Sequence, residues 1–99
     1  MRKKPETKIK EQLYKFLIEE IGGWWAKNTG SVFQRIGIPD IVGCPPSGLF
    51  CAFETKTKKG RMSRLQEINL VEINKTKGFG IVVDEFGDKE KKTLKILLS

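Results

Sequence analysis

The chain is 99 residues long, a length that fits one domain with a single hydrophobic core. Its 19 Lys and Arg against 12 Asp and Glu leave a net charge of +7, which favours a polyanionic partner such as nucleic acid, although many small proteins are basic without one. Histidine is absent, which excludes His-based zinc sites and His-activated nucleophiles, so catalysis would need carboxylates, lysine and a hard cation. No stretch nears the roughly 20 apolar residues of a membrane span, and we expect a cytoplasmic protein with reduced Cys44 and Cys51.

The first predicted element is a helix from Pro5 to Ile21, because apolar residues recur there at helical spacing and proline suits a first turn. The pair Gly22-Gly23 provides a helix stop. An aromatic-rich strand over 24–27 follows, and a loop then runs on through Gly37.

The rest of the chain alternates apolar runs with turn residues, which predicts three further strands and two further helices. In chain order these are a strand over 41–44, a strand over 49–56, a helix over 63–77, a strand over 79–84 and a helix over 88–98. The last segment has a pattern that fits helix or strand, and we favour helix. The order α-β-β-β-α-β predicts an α/β fold in which a small mixed sheet is flanked by helices.

Glu20 is the acidic residue of the first helix that calls for an explanation. At about 100° per residue it falls between Phe16 and Leu17, inside the apolar stripe, so its carboxylate would point at the core. The last turn of a helix also disfavours negative charge, and we therefore expect a positive group nearby. Two alternatives stay open: the helix frays and Glu20 reaches water, or the neighbouring Glu19 is the functional acid.

Three charged residues are predicted to meet at the end of two paired strands. Alternation puts Glu54 and Lys56 on one face, and Asp40 heads the preceding strand, so pairing through the turn at 45–48 returns it close to Glu54. Two adjoining carboxylates are unfavourable without a proton or a cation, and Mg²⁺ or Mn²⁺ suits hard oxygen ligands. The alternatives are an ordinary strand-end ion pair for Glu54 and Lys56 and a turn dipeptide for Pro39-Asp40.

Four short segments in this order resemble a stand-alone VRR-NUC domain of the PD-(D/E)XK nuclease superfamily, of the kind carried by phages and bacteria. The segments are Gly37-Ile38-Pro39-Asp40-Ile41-Val42, Phe53-Glu54-Thr55-Lys56, Gly60-x-Met62-Ser63-x-Leu65-Gln66 and Gly80-Ile81-Val82-Val83. The resemblance covers nearly the whole chain and implies a restriction-endonuclease-like core.

The resemblance also implies which residues act. Asp40, Glu54 and the backbone carbonyl of Thr55 would bind Mg²⁺ or Mn²⁺, with Glu20 completing the shell, and no organic cofactor is expected. Lys56 would activate the attacking water. Gln66 would contribute from the second helix, although it equally fits the third position of a capping box after Ser63. Family members of this kind are homodimers that act on branched DNA such as four-way junctions.

A run of basic residues beside these acids is the predicted DNA contact, comprising Lys58, Lys59, Arg61 and Arg64. The alternative is that these are solvated loop charges. The second helix is apolar on more than one flank, and a dimer would use the surplus. Two other functions stay open: a non-catalytic DNA-binding module, and a nuclease subunit that needs a partner protein to reach its substrate.

Overall fold

The computed structural model describes residues 4–28 and 36–99, and within them three α-helices and four strands. In chain order they are α1 (Pro5–Phe16), β1 (Trp24–Lys27), β2 (Ile41–Cys44), β3 (Cys51–Thr55), α2 (Arg64–Asn74), β4 (Phe79–Val83) and α3 (Asp88–Leu97). Part of the predicted loop before Gly37, residues 29–35, lies outside the described residues. The predicted element order and the C-terminal helix are confirmed.

The four strands form one mixed sheet in the order β1-β2-β3-β4. The β1–β2 and β2–β3 pairs are antiparallel, whereas β3 and β4 are parallel and are joined by the α2 crossover. The predicted α/β class, a small mixed sheet flanked by helices, is confirmed.

The hydrophobic core lies on the face of the sheet that carries Phe53. The rings of Trp25 and Phe79 pack against the Phe53 ring with centroids 6.0 and 6.2 Å away, and the buried Leu13 and Leu94 bring α1 and α3 into the same cluster. Helix α2 packs on the opposite face, where Gly80 permits its close approach, because a Cβ at Gly80 would come within 2.7 Å of the Leu70 side chain.

Two helix boundaries differ from the prediction. Regular α-helix ends at Phe16, and Leu17–Ile21 form a π-helical turn that is closed by the Gly22 N–H donating to the Leu17 carbonyl at 2.8 Å.

Helix α2 ends at Asn74, three residues before the predicted end at Lys77. It ends there because the Asn74 side chain donates to the Gly80 carbonyl at 2.8 Å and accepts from the Gly80 N–H at 2.9 Å, which draws the chain directly into β4.

None of the helices in the described part of the chain has the length and apolar character needed to cross a membrane. Both cysteines are free, as expected. Strand alternation puts Cys44 and Cys51 on opposite faces of the sheet, since Cys51 is opposite Gly43.

Candidate active site

Asp40 lies immediately before β2, next to the end of β3. The β2–β3 register pairs Ile41 with Phe53, so one step further along the ladder Asp40 is opposite Glu54. The Asp40 carboxylate is held there by Thr55, whose backbone N–H and hydroxyl both donate to Asp40 Oδ2, at 2.8 and 2.7 Å. The predicted convergence of Asp40 and Glu54 is therefore present in the structure.

Glu54 is fully buried, and as a carboxylate it meets no hydrogen-bond donor among the described residues. Only when it is protonated can it donate to the neighbouring Asp40 carboxylate. Burial, followed by the hydrogen bond and the charge of Asp40, raises the pKa of Glu54 to about 8, although the Lys56 charge acts in the opposite direction. Without a cation, the Glu54 carboxyl therefore holds a proton at neutral pH and shares it with Asp40.

The same contact lowers the pKa of Asp40. Burial alone would raise it, but hydrogen bonds with Glu54 and with the hydroxyl and N–H of Thr55, together with the charge of Lys10, reverse that effect. In the metal-free pair Asp40 is therefore the ionised carboxylate and Glu54 the protonated carboxyl. A cation could bind to Asp40 and would displace the proton of Glu54.

The Thr55 carbonyl is directed towards the Asp40 side of β3. The Lys56 N–H points to the opposite side of β3, where it donates to the Val83 carbonyl of β4 at 3.1 Å. In an extended strand the N–H and C=O groups of one residue point to the same side. Since the Thr55 N–H reaches Asp40, its carbonyl faces that side as well.

These groups fit a hard divalent cation. Two carboxylates and a carbonyl are the donors that Mg²⁺ and Mn²⁺ prefer, and a buried carboxyl with two unsatisfied oxygens is costly unless a proton or an ion compensates it. The residues that would hold the ion are Asp40, Glu54 and Thr55. Within residues 4–28 and 36–99 no third Asp, Glu or Cys side chain joins them in one cluster.

The expectation that Glu20 points at the core and completes this group is wrong. The Glu20 carboxylate lies on the surface, 44% exposed, and pairs with Lys95 of α3 at 3.2 Å. The physical reason is the π-helical turn, which holds more residues per turn than an α-helix, so the rotation of 100° per residue no longer applies. The expected positive neighbour is present as Lys95, and Glu19 is exposed as well.

Two residues of α1 that the sequence analysis missed lie beside the site. Glu6 pairs with Lys56 at 3.6 Å, and its charge contributes to the raised pKa of Glu54. Lys10, one helical turn later, lies close enough to Asp40 to lower its pKa. One signal was available: Glu6 precedes the fully buried Leu13 by seven residues, or two turns, and so shares its direction.

Lys56 connects the acidic pair to an open cleft, called the basic cleft below, in which three basic residues outnumber two acidic ones. Its side chain is only 17% exposed and lines a cleft of about 500 Å³ next to α2. The cleft is lined mainly by the loop that follows β3, together with residues of α2 and β4. The charged residues lining it are Lys56, Lys58, Arg61, Glu67 and Asp84.

The remaining predicted residues do not line this cleft. Lys59 is exposed on the loop, and Arg64 lies on the outer side of α2 with Ile68 and Val71. Gln66 forms the predicted capping box, accepting from the Ser63 N–H at 2.8 Å while its own N–H donates to the Ser63 hydroxyl at 3.2 Å. The structure thus gives Gln66 a structural role, and its catalytic role stays a prediction.

A solved structure described as a "VRR_NUC domain" has a similar fold, with a TM-score of 0.72 and 23% sequence identity over 95% of this chain and 97% of that one. No family model matches the sequence, and no curated protein matches it. The likeness confirms, for the fold, the resemblance to a VRR-NUC domain and the restriction-endonuclease-like core that it implied.

Proposed function

We propose that this chain is a nuclease of the VRR-NUC kind, an endonuclease that hydrolyses phosphodiester bonds in DNA with Mg²⁺ or Mn²⁺. One observation carries the proposal: the buried Glu54 carboxyl lies beside the Asp40 carboxylate and near the charge of Lys56, and in its ionised form it meets no hydrogen-bond donor among the described residues. A purely structural position would normally give a buried carboxyl at least one donor.

The residues of the site have separate roles in the proposed reaction. Asp40, Glu54 and the Thr55 carbonyl would hold the cation, which would supply Lewis-acid chemistry for the hydrolysis of the phosphodiester. Thr55 fixes the orientation of Asp40 through its two hydrogen bonds. Lys56, held by Glu6, directs its ammonium group to the attacking water and the charge that develops on the phosphate.

The basic cleft supports a nucleic-acid substrate. Lys56, which adjoins the acidic pair, lines it together with Lys58 and Arg61, and these three cations outnumber the acidic Glu67 and Asp84. A phosphate backbone that lies in the cleft would therefore pass the site. The neighbouring Lys59 would add to the attraction from the rim. For the finer points, the support is the resemblance to stand-alone VRR-NUC domains: branched DNA such as four-way junctions as substrate, a homodimer as the active form, and a cytoplasmic setting in a bacterium or phage-infected cell.

A non-catalytic DNA-binding module is the rival function, and one observation favours it. Because burial and the neighbouring Asp40 raise the pKa of Glu54 to about 8, a proton could compensate the pair without any cation. In that case Asp40 and Glu54 would be a structural carboxyl pair, and the basic cleft alone would bind DNA.

A cleavage panel separates these functions. Four-way junction, flap, single-stranded and duplex DNA are each incubated with the wild-type chain in Mg²⁺, Mn²⁺ or EDTA. Glu54→Ala removes the buried carboxyl, and Glu85→Ala is the matched control, because Glu85 is exposed and pairs with Lys58 on the surface.

We expect metal-dependent cutting by wild type and Glu85→Ala, with the junction cut best, and no cutting by Glu54→Ala although DNA binding persists. DNA binding without cutting in either metal would favour the binding module. Cutting that begins only when cell extract is added would favour a subunit that depends on a partner protein.

A further inference from the structure

The acidic pair has cations on both sides of it, although only one side belongs to the basic cleft. Asp40 and Glu54 lie at the ends of the two central strands of the sheet, β2 and β3, and the basic cleft adjoins the same end of β4, one of the two edge strands. The other edge strand, β1, ends at this end of the sheet with Lys27. A second cation therefore lies across the acidic pair from the cleft.

The backbone holds the end of β1 next to the acidic pair. Lys27 is opposite Ile41 in the β1–β2 register, and the N–H of the following residue, Asn28, donates to the Asp40 carbonyl at 2.7 Å. Neighbouring strands lie about 4.8 Å apart, so the end of β1 is about 10 Å from the end of β3. With a rise of about 3.4 Å per nucleotide, a DNA strand bound at the acidic pair would reach the β1 edge within about three nucleotides.

Helix α1 adds a second lysine to this side. The Lys10 charge acts on Asp40 and lowers its pKa, and Tyr14 follows Lys10 by four residues on the same flank of the helix. The Lys27 ammonium lies over the Tyr14 ring, 4.8 Å from the ring centroid, and the Tyr14 hydroxyl donates to the Trp25 carbonyl at 3.3 Å. Lys10, Tyr14 and Lys27 thus form one continuous surface, called the α1–β1 surface below.

The two lysines of the α1–β1 surface are not used in ion pairs by the described residues. Lys56 has Glu6 within 4 Å, whereas no carboxylate in residues 4–28 and 36–99 lies that close to the ammonium of Lys10 or Lys27. A lysine near Asp40 also repels a metal ion bound there. A phosphate attracts both the ion and the lysine, so the arrangement becomes favourable when DNA is bound.

We propose that Lys10 and Lys27 bind backbone phosphates of the DNA strand on the β1 side of the cut, opposite the basic cleft. The strand would then be held on both sides of the scissile phosphate, which fixes the phosphate that faces the acidic pair. Tyr14 supports Lys27 and does not stack on a base, because the ring is half-buried, one face is covered by the ammonium and the hydroxyl is engaged. The position of the cut rests on the proposed nuclease function, whereas the phosphate contacts do not.

The salt dependence of DNA binding tests the contacts without cleavage. A four-way junction is titrated in EDTA at several salt concentrations. Lys10→Gln and Lys27→Gln should each weaken binding about fivefold and reduce the slope of log affinity against log salt by about one, and the double variant should reduce it by about two. Lys15→Gln is the matched control, because Lys15 is exposed on the flank of α1 that faces Gly87 and Lys91, and it should leave the slope unchanged.

A double variant with the slope of wild type or of Lys15→Gln would overturn the α1–β1 contacts and leave the nuclease proposal standing. Conversely, the predicted slopes together with no cutting in Mg²⁺ or Mn²⁺ would refute the nuclease and retain the contacts.

Neutral phosphates test on which side of the cut these lysines act. Single methylphosphonates are placed at successive positions on both sides of the mapped cut, and each should weaken wild-type binding about fivefold where a lysine contacts it. The Lys10→Gln/Lys27→Gln double variant should become insensitive to them on one side, and Lys58→Gln on the other. If no DNA is cut, the two sets of positions are compared with each other and should not overlap. The same set in both variants, or no change in the double variant, would overturn the assignment.

Discussion

Two regions of this molecule bring acidic side chains next to apolar surface, with opposite results. At the end of β3, Glu54 is fully buried beside Asp40 and neither of its oxygens meets a donor among the described residues. In the π-helical turn, Glu19 and Glu20 are exposed, and Glu20 is compensated by Lys95 at 3.2 Å. The Asp40–Glu54 pair needs a proton or a cation to offset its charge, whereas Glu20 is already offset by Lys95. Burial of a carboxyl without a donor, rather than acidity alone, therefore distinguishes the candidate site.

The largest expected difference between the two regions is in cleavage. Asp40→Asn keeps the shape of the side chain but removes its charge, and we expect the cleavage rate to fall by about 1000-fold or more, since the charge needed to hold the cation is lost. Glu20→Gln makes the same chemical change in the π-helical turn and should alter the rate less than about twofold. Single-turnover cleavage at saturating Mg²⁺ measures both, and equal losses would remove the distinction.

Replacing the lysine of each region should also affect the cleavage rate differently. Lys56→Met removes the ammonium beside the acidic pair and should lower the single-turnover rate about 100-fold. Lys95→Met, which removes the partner of Glu20, should leave the rate within about twofold of wild type, because an exposed ion pair contributes little. If Lys56→Met cuts as fast as Lys95→Met, Lys56 has no part in the reaction.

The raised pKa of Glu54 predicts how the stability of the metal-free chain depends on pH. An unfolded Glu ionises at its ordinary pKa near 4.5, but the folded carboxyl keeps its proton until about pH 8. Between these values the folded state binds more protons than the unfolded state, so the free energy of unfolding should fall as pH rises, by up to about 1 kcal/mol per pH unit.

Glu54→Gln, which cannot ionise, should remove this decline, while Glu20→Gln should retain it. Urea unfolding of the three proteins in EDTA between pH 5 and pH 8 provides the measurement. The ionisation of Asp40 should not affect this comparison. Because its pKa is lowered, any change in stability that it causes lies at pH values below the range from pH 5 to pH 8. A wild-type profile as flat as that of Glu54→Gln would show that the carboxyl ionises normally.

The smallest effects are expected in the basic cleft. Lys58→Glu and Arg61→Glu should each weaken binding of a four-way junction about tenfold and reduce its salt dependence, because each loses a phosphate contact. Lys92→Glu carries the same charge change outside the cleft and should have a smaller effect on the dissociation constant. Equal effects at all three positions would indicate attraction by net charge alone.

The Asp40–Glu54–Lys56 group could be predicted because it depends on local geometry. A short turn joins β2 to β3, and strand alternation then fixes which side chains meet. The α2 capping box was predictable for the same reason, since Ser63 and Gln66 are three residues apart.

The missed features depend on contacts between distant parts of the chain or on a local change of helix type. Helical spacing indicates that Glu6 shares the direction of Leu13, but it does not show that α1 packs across the end of β3, where Glu6 meets Lys56. Glu20 was misplaced because the π-helical turn over Leu17–Ile21 gives its side chains directions that differ from those of an α-helix. Arg64 follows the basic loop in sequence, yet the Ser63 cap starts a helix there, and the side chain faces outward from α2.

Cation binding by the metal-free chain tests the central assignment most directly. Calorimetric titration with Mn²⁺ at pH 7, in two buffers of different ionisation enthalpy, reports affinity and proton release together. Wild type and Glu20→Gln should bind Mn²⁺ with release of about one proton, because the ion displaces the proton of Glu54, and Glu54→Gln should bind about 100-fold more weakly. Equal Mn²⁺ affinity in wild type and Glu54→Gln, or no binding to wild type, would contradict the assignment of Asp40 and Glu54 as a metal site.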